Sequence, residues 1–329
     1  MKKSINKFLI IIFIFSSPFI LLLTSYFVFD PFKVLYSYED YYSDFYIEPN
    51  RDFVSVEKFL KFKETIDYKS FNFGSSRLMA WRTDSWEKYI NDTNAYHFDA
   101  YMDNLLGVYY KIKLVDSVGG RLENVLLVIE YDLLNNVNDT THRLFMKHHI
   151  YSEKSKFAFH NFFFKEYLNS NFYLEYFDYS IFRKKRNYMQ QIDLNEKYSS
   201  KYSNDFYILN LDRSLAQDSI KYYSNRTFYQ RDTVQMFYPQ CIFDNQIYYL
   251  TEIKHLFEKH NTKYKIVISP LYDQKIMNEN DYLILYQIFG KENIYDFSGI
   301  NEITNKVENY YDEYHYRPNV ADFILDSIY

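Results

Sequence analysis

One stretch near the N-terminus limits how this chain can fold more than any other. Residues Phe8 to Phe29 contain no charged side chain, and a helix of this length, at ~1.5 Å per residue, spans the hydrocarbon core of a bilayer. Lipid offers no hydrogen bonds to a backbone, so a spanning segment of this kind must be helical. We therefore predict a cytoplasmic tip and a transmembrane helix within residues 1–30.

The charges on either side of this stretch predict its orientation. Lys2, Lys3 and Lys7 precede it and Asp30 follows it, and basic flanks tend to stay in the cytoplasm. The rest of the chain would then be extracytoplasmic, held at the cell membrane by a single pass. A cleaved signal peptide is the alternative, but the apolar stretch is long for one and no small-residue cleavage motif closes it. We expect an uncleaved anchor.

The composition beyond this helix is that of an ordered protein. The 329 residues include 38 Tyr and 31 Phe but only six Gly and six Pro, which argues against low-complexity and collagen-like classes. The net charge of −5 comes from mixed signs, so we expect no nucleic-acid partner. The single cysteine, Cys241, cannot form an internal disulfide, and we expect it to be buried.

Alternating helical and strand patterns over residues 52–329 predict an α/β fold. A Tyr-rich and acidic connector, residues 31–51, comes first. The run "NVLLVIEYD" is typical of a parallel strand buried on both faces. The order of elements predicts right-handed crossovers and a three-layer α/β/α sandwich with a parallel sheet of about five strands. The predicted strands are Ser70–Gly74, Ala95–Ala100, Asn124–Asp132, Tyr264–Pro270 and Asn293–Gly299, and the predicted helices are Val54–Lys63, Leu105–Val118, Ile247–His260 and Asp281–Phe289.

Residues 135–238 interrupt this alternation between the third and fourth strands. They contain aromatic clusters such as "FHNFFFKEYL" and "NFYLEYFDYSIF" and no internal repeat. A structureless loop of this length is improbable in a compact domain. We predict that the region forms an inserted, aromatic-rich cap or subdomain.

The turn after the first strand is the first candidate for chemistry. In "FNFGSSR" the strand delivers Gly74, Ser75 and Ser76 to its carboxyl end, the edge at which open α/β sheets bind ligands. A serine before a helix also lies near backbone N–H groups that can stabilise an oxyanion. The alternative is an ordinary turn in which one serine caps the following helix.

A nucleophilic serine needs a histidine base, and the histidine needs an orienting carboxylate. Two Asp-x-x-His pairs have suitable spacing: Asp139 with His142, and Asp312 with His315. The second pair precedes the last helix, in a loop that can return to the carboxyl edge of such a sheet. We therefore predict that Asp312 and His315 meet Ser76, and that the first pair forms a local cap.

The early G-S-S-R and the late D-E-Y-H resemble the first and last blocks of the SGNH (GDSL-like) hydrolase and acyltransferase superfamily. The sequence is most similar to membrane-anchored extracytoplasmic members, such as the teichoic acid D-alanyl transfer and alginate O-acetylation proteins. The resemblance implies an SGNH-like, flavodoxin-like domain over residues 52–329. It also implies a nucleophile at Ser76, a general base at His315, and Asp312 as the partner that fixes the histidine tautomer.

The middle blocks of the family match less well. The family offers a glycine N–H and an asparagine side chain to the oxyanion, whereas "DAYMDNLLG" has no glycine at its turn and Asp132 stands near the expected asparagine. An ionised aspartate cannot donate a hydrogen bond. Asn104 and the backbone N–H of Ser76 are the candidate donors instead. Arg77 and Asp132 are candidate contacts to the substrate.

The resemblance implies a serine esterase or O-acyltransferase that moves an acyl group, expected to be acetyl, to or from a cell-envelope or exported polysaccharide. This chemistry needs no metal and no cofactor. By analogy, a membrane-bound O-acyltransferase is a candidate partner. One alternative is a non-catalytic SGNH-like component that binds glycan or organises an acylation complex. Another is a metal-dependent enzyme using His142, His148 and His149, although we expect the last two to be surface or cap residues.

Overall fold

The computed structural model describes residues 2–43, 46–224 and 228–329, with side chains from residue 7 onward. Short 3-10 helices occur at Ser76–Ala80, Lys291–Asn293 and Val307–Asn309. The strands are β1 (Ser70–Gly74), β2 (Ala95–Asp99), β3 (Asn124–Ile129), β4 (Lys197–Ser199), β5 (Phe206–Ile208), β6 (Lys263–Ile268) and β7 (Ile294–Asp296). The α-helices are α1 (Lys2–Phe29), α2 (Arg51–Phe62), α3 (Thr83–Ile90), α4 (Leu105–Ser117), α5 (Tyr131–Asn135), α6 (Lys156–Tyr167), α7 (Ser170–Phe182), α8 (Leu209–Gln217), α9 (Ser219–Ser224), α10 (Asp244–His260), α11 (Glu279–Phe289) and α12 (Pro318–Ile328).

Five strands form a parallel sheet in the order β2-β1-β3-β6-β7. The predicted α/β class and the five-stranded parallel sheet are therefore confirmed. β4 and β5 form a separate antiparallel pair. The third strand ends at Ile129, earlier than the predicted Asp132, because Tyr131 already begins the short helix α5.

Both faces of the sheet are covered, as parallel sheets require. Val125, Leu127 and Ile129 of β3 pack with apolar residues of α2, α4, α10 and α11, and the buried Cys241 belongs to the same cluster. The alternate residues Leu126 and Val128 pack on the opposite side with residues of α3 and α12. The continuous apolar run of this strand is thus explained by burial on two faces.

The N-terminal helix α1 is apolar and projects from the rest of the protein. Its segment Lys7–Phe29 has a mean hydropathy of 2.5 and its most apolar window is not buried in the protein. By length and composition it is able to cross a membrane. Its last turns contact the domain, since Tyr26 is buried and the Ser25 hydroxyl lies 2.5 Å from that of Tyr167. The predicted apolar helix is confirmed, and its orientation stays a prediction.

A second aromatic cluster joins three separate parts of the chain. Tyr26 of α1, Phe32 and Tyr41 of the connector, and Phe163 and Tyr176 of region 135–238 are all buried in it. The described part of that region contains helices and the β4–β5 pair. Its status as a separate cap or subdomain stays a prediction.

A buried ion pair joins the first domain helix to the end of the edge strand. Arg51 begins α2 and Asp99 ends β2, and both side chains are almost fully buried. The Arg51 Nε atom donates to Asp99 at 3.0 Å, and a second guanidinium nitrogen donates to the other carboxylate oxygen. Two parallel bonds of this kind fix orientation as well as distance.

Removal of one partner from this ion pair should destabilise the protein strongly. In the Arg51→Met variant the Asp99 carboxylate is left buried without its cation, so we expect the free energy of unfolding to fall by about 3–5 kcal/mol. Urea unfolding in detergent, followed by tryptophan fluorescence, measures this. The matched control is Arg121→Met, which removes a pair with Asp67 whose side chains are both more than half exposed. An equal effect of the two variants would contradict the argument.

Candidate active site

The turn after β1 brings two serines to the carboxyl edge of the sheet. Gly74 ends the strand, and a Cβ atom there would lie 3.0 Å from the carbonyl oxygen of Val128, so this close approach favours glycine. The Ser75 hydroxyl donates to Glu130 at 2.5 Å and accepts a long bond from the N–H of Arg77. Ser75 is therefore the capping residue, and Ser76 is the first residue of the 3-10 helix.

The structure brings Ser76, His315 and Asp312 together. The Ser76 Oγ atom lies 3.1 Å from Nε2 of His315. The other ring nitrogen, Nδ1, lies 3.0 and 3.1 Å from the two carboxylate oxygens of Asp312. An ionised carboxylate can only accept, so Nδ1 carries the proton and Nε2 is free to accept one from the serine. This is the geometry of a nucleophile, a base and an orienting acid.

Aromatic anchors hold the loop that carries the histidine and the aspartate. Tyr310 and Tyr316 pair across it in an isolated antiparallel bridge, and both side chains are buried. The Tyr310 hydroxyl donates to the carbonyl of Pro270 at 3.0 Å. The indole N–H of Trp81 donates to the Tyr316 hydroxyl at 2.7 Å. Since Trp81 directly follows the 3-10 helix of Ser76, this bond ties the last loop to the first turn.

The Asp312 carboxylate is stabilised in its ionised form. Partial burial opposes ionisation, but the hydrogen bond and charge of His315 and the backbone N–H groups of Tyr314 and His315 outweigh it. The two N–H groups donate to one carboxylate oxygen at 2.8 and 2.9 Å. The net result is a pKa of Asp312 below its ordinary value. The side chain is therefore suited to remain an anion beside the imidazole.

Arg77 is mostly buried and connects the parts of the site to one another. Its guanidinium donates to Glu130 at 2.8 Å, to Asp132 at 3.0 Å and to the carbonyl of Tyr314 at 3.2 Å. Burial opposes its charge, but the two carboxylates raise its pKa above the ordinary value. Arg77 and the largely exposed Asp132 thus contact each other in this structure. Their predicted contacts to a substrate stay predictions.

Glu130 is a site residue that the sequence reasoning missed. It directly follows β3, is almost fully buried, and accepts from both Ser75 and Arg77 through the same oxygen. Its other oxygen is buried without a hydrogen-bond partner among the described residues. Glu130 could have been found as an acidic residue at the carboxyl end of the most apolar strand. It was missed because the predicted strand, Asn124–Asp132, included it. Glu130 holds Ser75 and Arg77, the two neighbours of Ser76.

The turn after β2 forms another wall of the site. Met102 has a φ of 46°, a left-handed conformation that glycine adopts at little cost, although no glycine stands here. Buried Asp103 accepts from Lys111 and Lys147 and fixes this turn. The Asn104 side chain caps α4. Its Oδ1 atom accepts from the backbone N–H of Gly107 at 3.0 Å, and its Nδ2 atom donates to the backbone carbonyl of Asn138 at 2.8 Å. Its role as an oxyanion donor stays a prediction.

The other histidines that the sequence singled out lie in local structure. The His142 ring accepts from the N–H of Leu144 at 3.2 Å, and Asp139 pairs with Lys154. The surface interpretation of His148 is wrong: it is almost fully buried, with Nε2 3.1 Å from Glu57 and its ring stacked on His149. No group of three potential metal ligands occurs in the described ranges.

Two cavities of different character meet at the serine and the histidine. A cavity of about 290 Å³ is lined mainly by apolar side chains. A second cavity, of about 630 Å³, is lined by Asn104, Asp132, Asn135, Asn136 and other polar residues. The residues that line both are Ser76, Met102 and His315. A reacting group at the serine would therefore have an apolar and a polar side.

Comparisons with known proteins do not add a family to this geometry. No family model matches the sequence, and no curated protein matches it. The resemblance to the SGNH superfamily therefore stays a prediction, based on the residues of the first and last blocks.

The lowered pKa of Asp312 predicts how acid affects stability. Folding favours the anion, so its contribution is complete above the ordinary aspartate pKa of ~3.9 and is lost as the pH falls through the lower folded-state value. We expect the difference in Tm between the wild type and Asp312→Asn to be constant above about pH 5 and to shrink below about pH 4. Thermal unfolding in detergent at a series of pH values measures it. A difference that is independent of pH would contradict this assignment.

Proposed function

We propose that this chain is a membrane-anchored, extracytoplasmic serine acyltransferase or esterase of the SGNH type, acting on acyl esters of a cell-envelope or exported polysaccharide. The observation that carries the proposal is the 3.1 Å distance between Ser76 Oγ and His315 Nε2, with Asp312 on the opposite ring nitrogen. A hydroxyl and an imidazole at this distance can share a proton.

In the first half of the reaction, Ser76 is the nucleophile. Its oxygen attacks the acyl carbonyl carbon while Nε2 of His315 takes the hydroxyl proton. Asp312 holds the proton on Nδ1 and stabilises the imidazolium that forms. The tetrahedral intermediate then expels the donor's oxygen, which takes the proton from His315. The product of this half is an ester between the acyl group and Ser76.

In the second half, a sugar hydroxyl or a water molecule attacks this ester. His315 takes the proton of the attacking oxygen, and the Ser76 oxygen leaves with the proton from His315. Attack by a sugar hydroxyl gives transfer and attack by water gives hydrolysis. The amide and carboxylate side chains of the polar cavity favour a hydroxyl-rich acceptor, because such groups hydrogen-bond to alcohols.

The weakest part of the proposed machinery is the stabilisation of the oxyanion. The backbone N–H of Ser76, at the start of the 3-10 helix, is one candidate donor. One amide hydrogen of Asn104 is used by the Asn138 carbonyl, which leaves at most its second hydrogen for an oxyanion. The loss of one such donor typically reduces kcat by about 10²- to 10³-fold. We therefore expect slow turnover without the physiological partner, for which a membrane-bound O-acyltransferase is the candidate.

The hydrogen bond that occupies the Asn104 amide also favours a second candidate function. If neither Asn104 nor Arg77 contacts a reacting group, the site could bind a glycan without turning it over. The chain would then be a non-catalytic component of a membrane acylation complex. In that function the Ser76 hydroxyl would be dispensable.

The experiment compares Ser76→Ala and His315→Ala with the wild-type full chain in detergent. We expect both substitutions to reduce hydrolysis of an activated acyl ester by at least about 10³-fold, because each removes a member of one catalytic unit. A fluorophosphonate probe should label the wild type at Ser76 and should not label Ser76→Ala. The matched controls are Ser327→Ala, on α12, and His142→Ala, from the other Asp-x-x-His pair.

Each outcome assigns the function. A probe attached to Ser75 would show that Ser75, and not Ser76, is the nucleophile. Equal hydrolysis by the wild type and Ser76→Ala would reject the triad. Polymer acylation that persists in cells carrying only Ser76→Ala would favour the non-catalytic component.

A further inference from the structure

The apolar cavity beside Ser76 has a volume of about 290 Å³ and few polar side chains in its lining. Ser76 and His315 belong to its lining. Its remaining walls are apolar or aromatic apart from Asp99 and Asp312, and Asp99 is already paired with Arg51. The apolar and aromatic residues of the lining are Met79, Tyr101, Met102, Phe145, Phe206, Ile208 and Leu211.

The size of this cavity exceeds what an acetyl group needs. Its volume is about 290 Å³, whereas a water molecule, which is close in size to one methylene, takes up roughly 30 Å³ of liquid. The single methyl of an acetyl group would leave most of the cavity empty of chain atoms. An apolar chain of several carbons would fill the cavity, and the surfaces of the chain and of the cavity would both be removed from water.

We propose that this cavity binds the chain of the acyl group, and that the preferred acyl group has roughly four to eight carbons rather than the two of acetate. The inference rests on the proposed function. Region 135–238 would set the chain length, because Phe145, Phe206, Ile208 and Leu211 all belong to it. The acceptor hydroxyl would approach through the polar cavity on the other side of Ser76.

The test measures kcat/KM of the full chain in detergent for p-nitrophenyl esters from acetyl to decanoyl. Each methylene buried in an apolar pocket contributes up to about fourfold. We expect kcat/KM to rise by at least tenfold from acetyl to hexanoyl or octanoyl and to level off or fall beyond. In Leu211→Trp, which narrows the cavity, kcat/KM should fall at least ten times more for octanoyl than for acetyl. Leu283→Trp, an exposed position on α11, is the matched control and should keep the wild-type profile.

The failure of this inference differs from failure of the proposed function. A wild type that hydrolyses acetyl esters fastest, with a profile that Leu211→Trp does not alter, would overturn the acyl pocket and leave the serine enzyme intact. An absence of hydrolysis for every ester, together with no fluorophosphonate labelling, would reject both.

A different observation carries a second inference, which concerns α7. This helix leaves Leu174, Ile181 and Phe182 largely exposed, and their spacing puts them on one face. Asp178 lies on the same face, where its charge is paired with Arg186. Four basic residues, Arg183 to Arg186, follow the helix directly and are all exposed. An apolar face next to a basic cluster is the pattern of helices that lie in a membrane interface.

The position of α7 relative to α1 supports this interpretation. The rings of Phe29, at the end of α1, and Phe177 of α7 are 6.3 Å apart. The ring centroids of Tyr26 and of Phe164, which lies on the neighbouring helix α6, are 5.2 Å apart. If α1 spans a bilayer, its last turn is at the membrane surface, and α7 is there with it.

We infer that α7 lies on a bilayer that contains anionic phospholipids. Its apolar side chains would enter the boundary between headgroups and acyl chains, and the exposed Arg183 and Lys184 would contact the headgroups. Lys185 and Arg186 already bond to the Ile192 carbonyl and to Asp178. This contact would add to the anchor α1 and limit the tilt of the domain relative to the membrane.

The test uses the full chain reconstituted into vesicles of equal parts phosphatidylglycerol and brominated phosphatidylcholine. The native Trp81 and Trp86 are buried and supply the baseline. We expect bromine to quench the added fluorescence of Leu174→Trp by at least twofold and to have little effect on that of the control Leu283→Trp. Equal quenching of the two variants would overturn the inference. Quenching of Leu174→Trp that persists without phosphatidylglycerol would overturn the part assigned to the basic cluster.

Discussion

The site depends on one long-range connection at the carboxyl edge of the sheet. The Trp81 indole donates to the Tyr316 hydroxyl across 235 residues of sequence, and both side chains are almost fully buried. A buried polar group without a partner is costly, so this bond has few alternatives. It holds the loop of His315 against the helix that begins at Ser76. The hydroxyl-to-imidazole distance follows from this connection and from the position of β1 between two neighbouring strands.

Buried ion pairs around the site hold the turns that form it in one geometry. Asp103 is held by two lysines, Asp99 by Arg51, and Glu130 by Arg77. Desolvation of such pairs costs nearly as much as their attraction gains, so their net contribution to stability is small. Their value is geometric, because each one joins a strand end or the turn after it to another side chain. The proposed function uses this rigidity, since a nucleophile and a base must be held in one orientation.

Region 135–238 contacts both the end of α1 and the apolar cavity beside Ser76. Four of its residues, Phe145, Phe206, Ile208 and Leu211, line the apolar cavity. Its aromatic side chains also pack against Tyr26 at the end of α1. The aromatic richness of the sequence is explained in large part by these contacts, because Tyr and Phe bury much area while Tyr keeps a polar end for hydrogen bonds.

The sequence alone was sufficient for the features that depend on local pattern. The apolar helix, the strand order along the chain and the parallel sheet follow from periodicity and run length, because backbone hydrogen bonding and burial act over neighbouring residues. The nearness of Ser76 to the late Asp-x-x-His pair could also be predicted, because parallel strands end at one edge. Only the tertiary structure decided which hydrogen bonds Asn104 and Arg77 make, that Glu130 supports the serine turn, and that Met102 lines both cavities. Those outcomes depend on side chains far apart in sequence competing for the same partners, and no local pattern records that competition.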